Sequence, residues 1–337
     1  MRDRPKLADE TIAAAVRAHY GISIVALNFL PLGNDSDTYV YRVEADDGAA
    51  YFLKIRNRLG FSPASLAVPR YLRDAGIPHI VAPLMTTSQT LWVMVNDFAL
   101  TLYPFIDGRI GGDVGISEQQ WIELGRTVKQ IHISQLPPKL MQVVPRETFV
   151  PPRRGVIDDL QRAIEGHVLA DPAQRELAAF WNSRRDQICA LVNRADALGR
   201  QLREASGPLV LCHADLHTRN VLLEGTEQMW VIDWDETVFA RKERDLMFFV
   251  GGIMPKLLQP HHTEYFLRGY GDAAIDRDAL VYYRHAWAVQ DIAADGEQVF
   301  FLPELSDASR HHAVRMFMSL FEPGNIVSIA SAADSAA

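Results

Sequence analysis

His213-Ala-Asp215-Leu-His217-Thr-Arg-Asn220 spaces a histidine, an aspartate and an asparagine as H-x-D-x-x-x-x-N. Asp233 follows thirteen residues later, at the end of the apolar run Trp230-Val-Ile232. Phosphoryl transfer asks for such a set: one carboxylate facing the acceptor hydroxyl, and an amide and a second carboxylate sharing Mg²⁺. Asp215 holds the position of the first. A loose transition state asks little of a base, so it would orient the hydroxyl and take its proton late. Asn220 and Asp233 are hard oxygen donors and the expected Mg²⁺ ligands. His213 either braces the loop, through backbone or Asp233, or takes part in chemistry; bracing is the favoured role. His217 is read as near substrate or simply solvated.

The flanking sequence predicts how these residues are held. Pro208–Cys212 reads as a buried strand, and Val221–Leu223 with Trp230–Ile232 as a hairpin around Glu224-Gly225. The polar residues therefore fall on a loop and at a strand end. Upstream, a first helix capped by Asp9 or Thr11 ends at Gly21. Period-two runs then predict strands at Ile24–Leu32, Thr38–Glu44 and Ala50–Ile55, with Asp46-Asp47-Gly48 as a hairpin turn. Ser62-Pro63 opens a helix to about Ala75, which Pro69 should kink or shorten. Strands at Ile80–Leu84, Thr90–Val95 and Phe98–Tyr103 complete a mostly antiparallel sheet.

After Ser117, which forms a capping box with Gln120, the chain reads as largely helical. Predicted helices end at His132 and cover Gly155–Glu165, Pro172–Arg203, Thr263–Tyr270, Arg277–Ala294 and Glu304–Phe321. The fold class is α+β. A β-rich nucleotide-binding lobe covers 1–103, a linker 104–116, an α-rich catalytic and substrate-binding lobe 117–327, and a fraying tail 328–337.

Lys54, in Tyr51-Phe-Leu-Lys-Ile55, alternates with apolar neighbours. Alone it would be the wet face of a strand. Beside the downstream motif it fits a lysine gripping the α- and β-phosphates of a nucleotide. Gly33–Thr38 lies where a phosphate-covering loop belongs, with Gly33 and with Ser36 or backbone amides as candidate phosphate contacts; it reads equally as a plain hairpin. It is neither a Walker A sequence nor G-x-G-x-x-G. Tyr103–Asp107, with Tyr103, Phe105 and Ile106, is expected to supply the backbone donor and acceptor for adenine where the lobes meet; Phe105 and Ile106 also read as plain core. Asp245, in Glu243-Arg-Asp-Leu246, either ties the catalytic loop or simply caps its own helix.

Composition narrows the partners. In 337 residues, a hydrophobic share of 48% and a charged share of 23% describe an ordinary globular chain. A formal charge of −8 argues against nucleic acid and is compatible with a cationic substrate. Two cysteines, Cys189 and Cys212, fit a reducing compartment. Without an apolar leader or an eighteen-residue apolar run, the expectation is a cytoplasmic protein with no membrane partner, a monomer or weak dimer.

Together these residues resemble the aminoglycoside phosphotransferase and choline kinase-like superfamily, over nearly the whole chain. Within it, Val231-Ile-Asp-Trp-Asp-Glu236, Lys242–Phe248, Tyr103–Ile106 and Tyr282-Tyr-Arg-His285 are similar to the spectinomycin phosphotransferase branch. The resemblance implies a bilobal protein-kinase-like fold. It also implies transfer of the γ-phosphoryl group of ATP, with two Mg²⁺ ions, to a hydroxyl of a small amine-bearing molecule. By position it makes Asp215 catalytic, Asn220 and Asp233 metal ligands, and Lys54 the phosphate lysine. One departure stands out. The helix after the lysine strand normally offers a glutamate to that lysine, yet here it holds only Asp74, at its far end.

Asp235, Glu236, Asp291 and Asp295, with Glu297, are the carboxylates expected around a cationic acceptor, since an amine in a partly dry cleft needs acidic neighbours. Asp291 and Asp295 share a helix face. Three functions stay open: an antibiotic kinase acting on spectinomycin or a related aminocyclitol and conferring resistance; a metabolic kinase for choline, homoserine or a methylthio-sugar; and a silent nucleotide-binding protein.

Overall fold

A computed structural model describes residues 4–32, 38–57, 62–166, 169–250, 253, 258–303 and 305–333. In chain order the elements begin with α1 (Asp9–Tyr20), β1 (Ile24–Leu30), β2 (Thr38–Ala45), β3 (Ala50–Asn57), α2 (Ala64–Asp74), β4 (Val93–Val95) and β5 (Phe98–Pro104). Next come β6 (Arg109–Ile110), α3 (Gly111–Val114), α4 (Glu118–Ile133), α5 (Pro138–Met141), α6 (Arg154–Gly166), α7 (Pro172–Glu204) and β7 (Val210–Cys212). The rest are β8 (Val221–Glu224), β9 (Gln228–Val231), β10 (Val238–Ala240), α8 (Glu243–Leu246), α9 (Pro260–Tyr270), α10 (Arg277–Phe300), α11 (Asp307–Ser319) and α12 (Ile326–Ala333). Contacts divide the chain into two units, residues 1–145 with 213–238, and residues 146–212 with 239–337.

In the first unit, β1-β2-β3-β5-β4 form an antiparallel five-stranded sheet. Alternation along β3 sends Leu53 and Ile55 into a core with Tyr41, Val43, Leu100 and Leu102, closed by Ile12 and Val16 of α1. Lys54 and Arg56 consequently share the opposite face of β3, opposite Val40 and Thr38 of β2 and Thr101 and Ala99 of β5. Helix α1 begins ahead of both expected caps, Asp9 and Thr11. Its N-cap is Ala8 and makes no side-chain cap bond, so Asp9 and Glu10 lie in the first turn, near the positive end of the helix dipole. Gly21, with φ 71°, closes it as predicted.

Residues 80–84 do not form the expected strand. Ile80 makes a single parallel bridge to Val231, and Leu84 donates to Leu102 O at 2.7 Å. Pro83 lacks a ladder donor, which keeps the segment from pairing continuously. Its bonds still matter: Val231 donates to His79 O (2.7 Å) and accepts from Val81 (3.1 Å), tying β9 to the sheet-bearing part of the unit. β6, β8 and β9 form a second small sheet. The Ser117–Gln120 capping box is present on α4.

The second unit is mainly helical, with β7 paired to β10. The long α7, capped by Asp171, packs with α10 around Tyr282, Trp181 and Leu198. Gly199 of α7 faces the Phe149 carbonyl so closely that no Cβ would fit between them. Helix α10 runs six residues past its expected end. Of the tail expected to fray, residues 328–333 belong to α12, with Ala330 buried, and residues 334–337 lie outside the described residues. Among the described residues, no helix is long and apolar enough to cross a membrane.

Candidate active site

The β8–β9 hairpin explains why distant motif residues meet. Val221 pairs with Val231, so the residue before β8 and the residues after β9 must be neighbours. The Ile232 N–H donates to Asn220 O at 3.1 Å, which puts Asp233 one residue beyond that bond. The loop from His213 to Asn220 is held from both sides. His213, fully buried, donates from Nε2 to Ile232 O (2.9 Å) while its Nδ1 accepts from the Asp215 N–H (3.3 Å). A carbonyl on one nitrogen and an amide donor on the other select the neutral Nε2–H tautomer. His213 also packs against Trp234, ring centroids 4.7 Å apart. Gly111 and Gly112 of α3 lie against Thr218, where a Cβ on Gly112 would be 3.0 Å from Oγ1. The glycine-rich stretch thus permits close approach to this loop.

Asn220 donates both amide protons to Asp215, one to the backbone carbonyl (2.8 Å) and one to Oδ2 (2.9 Å). This orients the Asp215 carboxylate and turns Asn220 Oδ1 to the other side as an acceptor. Ala214 and Asp233 have φ of 69° and 62°, left-handed conformations that non-glycine residues seldom adopt. Such strain concentrates where function dictates the backbone. His217 Nε2 lies 3.5 Å from Asp215 Oδ1, but burial and then His213 push its pKa down to about 4. The imidazole is neutral near pH 7, so this contact is no ion pair.

Lys54 does find carboxylate partners. Its Nζ donates to Asp233 Oδ1 and to Asp235 Oδ2, both at 2.8 Å. Burial alone would lower the lysine pKa, yet the two aspartate charges hold it above the ordinary range. Burial likewise opposes ionisation of Asp235, but Lys54 and Arg56 outweigh it and hold the carboxyl well below its usual range. Asp235, expected beside a cationic acceptor, is thus already neutralised by Lys54 and Arg56. Glu236 is exposed.

Phe105 N–H donates to Ala50 O (3.3 Å), and the Arg42 guanidinium sits 4.7 Å from the Phe105 ring centroid. Burial raises the Tyr103 phenol pKa, and Lys54 opposes the shift. Ile106 is half-buried. Gly33 and Ser36 lie outside the described residues.

Asp291 and Asp295 belong to the second unit, on α10. Burial, reinforced by Asp295, pushes Asp291 up to about 7; burial does the same to Asp295. Trp287 faces Asp291 and packs edge-on to Phe248 at 4.9 Å, with Arg244 over its ring. Asp245 is fully buried in α8. Sequence reasoning missed Arg56, although Lys54-x-Arg56 on one strand was a readable sign that both cations face the same way.

This fold and this arrangement are those of a kinase-like phosphotransferase. Residues 28–281 match the APH model, the phosphotransferase enzyme family, and the chain belongs to that family. The structure is similar to spectinomycin phosphotransferase APH(9)-Ia in complex with ADP and spectinomycin, at 31% identity and a TM-score of 0.86. That match covers 98% of this chain and 99% of that one. In sequence the chain is 25% identical over 228 residues to protein StrN of Streptomyces griseus, covering 65% of this chain and 67% of the relative. The amicoumacin kinase hAmiN, at 18% identity and a TM-score of 0.65 over 95% of each chain, shares the fold.

Proposed function

We infer that this protein transfers the γ-phosphoryl group of ATP to a hydroxyl of an aminocyclitol, with spectinomycin as the leading acceptor, and so confers resistance to it. The observation that carries the reading is the Asn220 amide clamped on Asp215, beside an Asp233 held by Lys54. It is supported by the 31% identity over 98% of the chain to an enzyme described with ADP and spectinomycin.

In the proposed step the acceptor oxygen forms a bond to the γ-phosphorus as the bond to the β,γ-bridging oxygen breaks. ADP leaves, and the hydroxyl proton passes to Asp215 Oδ1 or Oδ2. Asn220 fixes the carboxylate for that transfer, and an aligned base of this kind contributes ~10²–10⁴-fold. Asn220 Oδ1 and the Asp233 carboxylate form an all-oxygen donor set suited to a hard divalent cation, and these two residues would hold Mg²⁺. When bound, such an ion neutralises charge on the transferring phosphates. Lys54 would hold the α- and β-phosphates. Tyr103, Phe105 and Ile106 would border adenine, and Gly33 and Ser36 the outer phosphates. Glu236 in the first unit, and Asp291 and Asp295 in the second, are each proposed to attract an acceptor's amines, and Asp245 is proposed as structural support. The silent-protein alternative drew on the missing helix glutamate; two carboxylates on Lys54 meet that need.

Incubation with ATP, Mg²⁺ and an acceptor panel of spectinomycin, choline, ethanolamine and homoserine tests the reading. Spectinomycin-dependent ADP release is expected. Turnover with choline or homoserine but not spectinomycin would move the enzyme to the metabolic class.

A further inference from the structure

The carboxylates on Lys54 come from the loop after β9, not from the helix after β3. In α2 the acid is Asp74, the last residue, and it is engaged by Arg70 (2.8 Å). What α2 contributes to this face of the sheet is Ser65, 1% exposed, whose Oγ accepts from Arg56 Nη1 at 3.4 Å and donates to Ser62 O at 2.7 Å. Arg56 is itself only 6% exposed. A guanidinium that far from water needs a compensating partner, and its other nitrogen pairs with Asp235 Oδ2. That same oxygen accepts from Lys54. A continuous chain of contacts therefore runs Ser65, Arg56, Asp235, Lys54.

We propose that Arg56 and Asp235 are positioning residues for Lys54, jointly replacing a helix carboxylate. The inference rests on Lys54 being the nucleotide-phosphate lysine. Charge explains why two residues are needed. Asp233 and Asp235 with Lys54 alone would leave one uncompensated negative charge where an anionic nucleotide must bind. Arg56 brings the group to two cations and two carboxylates. It also keeps Asp235 in place when phosphate draws on the ammonium. An ammonium has three donors; Asp233 and Asp235 take two, so the third is aimed by them toward a phosphate oxygen. The direction of support is reversed relative to a helix glutamate: α2 steadies an arginine, the arginine steadies the aspartate, and the aspartate aims the lysine.

The test is ADP affinity, measured by titration calorimetry on the full chain without acceptor, for wild type, K54A, D235N, R56A, R56K and K54A/D235N. Charged hydrogen bonds of this type correspond to ~10-fold or more in affinity, so K54A and D235N should each weaken ADP by at least about that factor. The double variant should bind within about three-fold of K54A, because Asp235 acts only through Lys54. R56A should weaken ADP, and R56K, which keeps the charge, should recover most of the loss. D235N is near-isosteric, so it carries the test if R56A does not fold. D235N binding ADP as wild type would overturn the proposal, as would additive losses in the double variant, the mark of a merely structural residue. If K54A leaves ADP binding unchanged, the reading of Lys54 falls first and this inference with it.

Discussion

Replacing Asp291 by Asn should stabilise the protein at pH 8 and do little at pH 4. Both Asp291 and Asp295 have pKa values pushed from 3.8 to about 7, with burial the leading cause. The folded chain thus retains protons that the unfolded chain releases between about pH 4 and pH 7. Stability rises with pH only where the unfolded state binds more protons, and here it binds fewer. Folding stability must fall across that window and stay low above it. At ~1.4 kcal/mol per pH unit the penalty approaches ~4 kcal/mol for one carboxylate. Both side chains retain some solvent access, so ~1–2 kcal/mol is the realistic release on neutralising one of them. Asparagine keeps a polar group for Trp287 and removes the charge. Thermal melts at pH 4 and pH 8, with buffer ionic strength matched, should show D291N melting roughly 2–6 °C higher than wild type at pH 8 only. D291N/D295N should gain no more than about the sum of the single changes, since each relieves the other. If D291N lowers the melting temperature equally at both pH values, the carboxylate is a structural hydrogen-bond partner and not a destabilising buried acid. A cationic acceptor bound there would supply the missing charge, so saturating spectinomycin should raise wild type more than D291N at pH 8.

Asp215→Ala should lower kcat by ~10²–10⁴-fold while ADP affinity, read by calorimetry, stays within about three-fold of wild type; more than a tenth of the wild-type rate would remove the base role. Asp233→Ala and Asn220→Ala should each reduce the Mg²⁺-dependent part of nucleotide binding, checked by titrating ADP with and without EDTA. Equal affinities under both conditions in wild type would dismiss the donor-set assignment. Gly199→Ala places a Cβ against the Phe149 carbonyl and should cost ~2–4 kcal/mol, seen in urea unfolding without a change in the KM for ATP of the folded fraction.

Much of this was legible in the residues themselves. Period-two runs located β1, β2, β3 and β5, and cap chemistry located the start of α4, because those signals depend on neighbours in sequence. The motif His213–Asn220 with Asp233 set the class of chemistry, since spacing on a hairpin dictates which side chains can meet. What a one-dimensional reading could not decide depends on packing at long range. The 80–84 segment looked like a strand by composition, yet strand pairing requires donors on a partner edge, and Pro83 has none to offer. Residues 328–333 extend helix α12 where composition suggested fraying, because Ala330 could be buried. The partner of Lys54 was sought in the nearest helix. It lies 179 and 181 residues away, at Asp233 and Asp235. Charge pairing across such a separation is settled only when the chain closes, by which cations the sheet buries and which carboxylates can reach them.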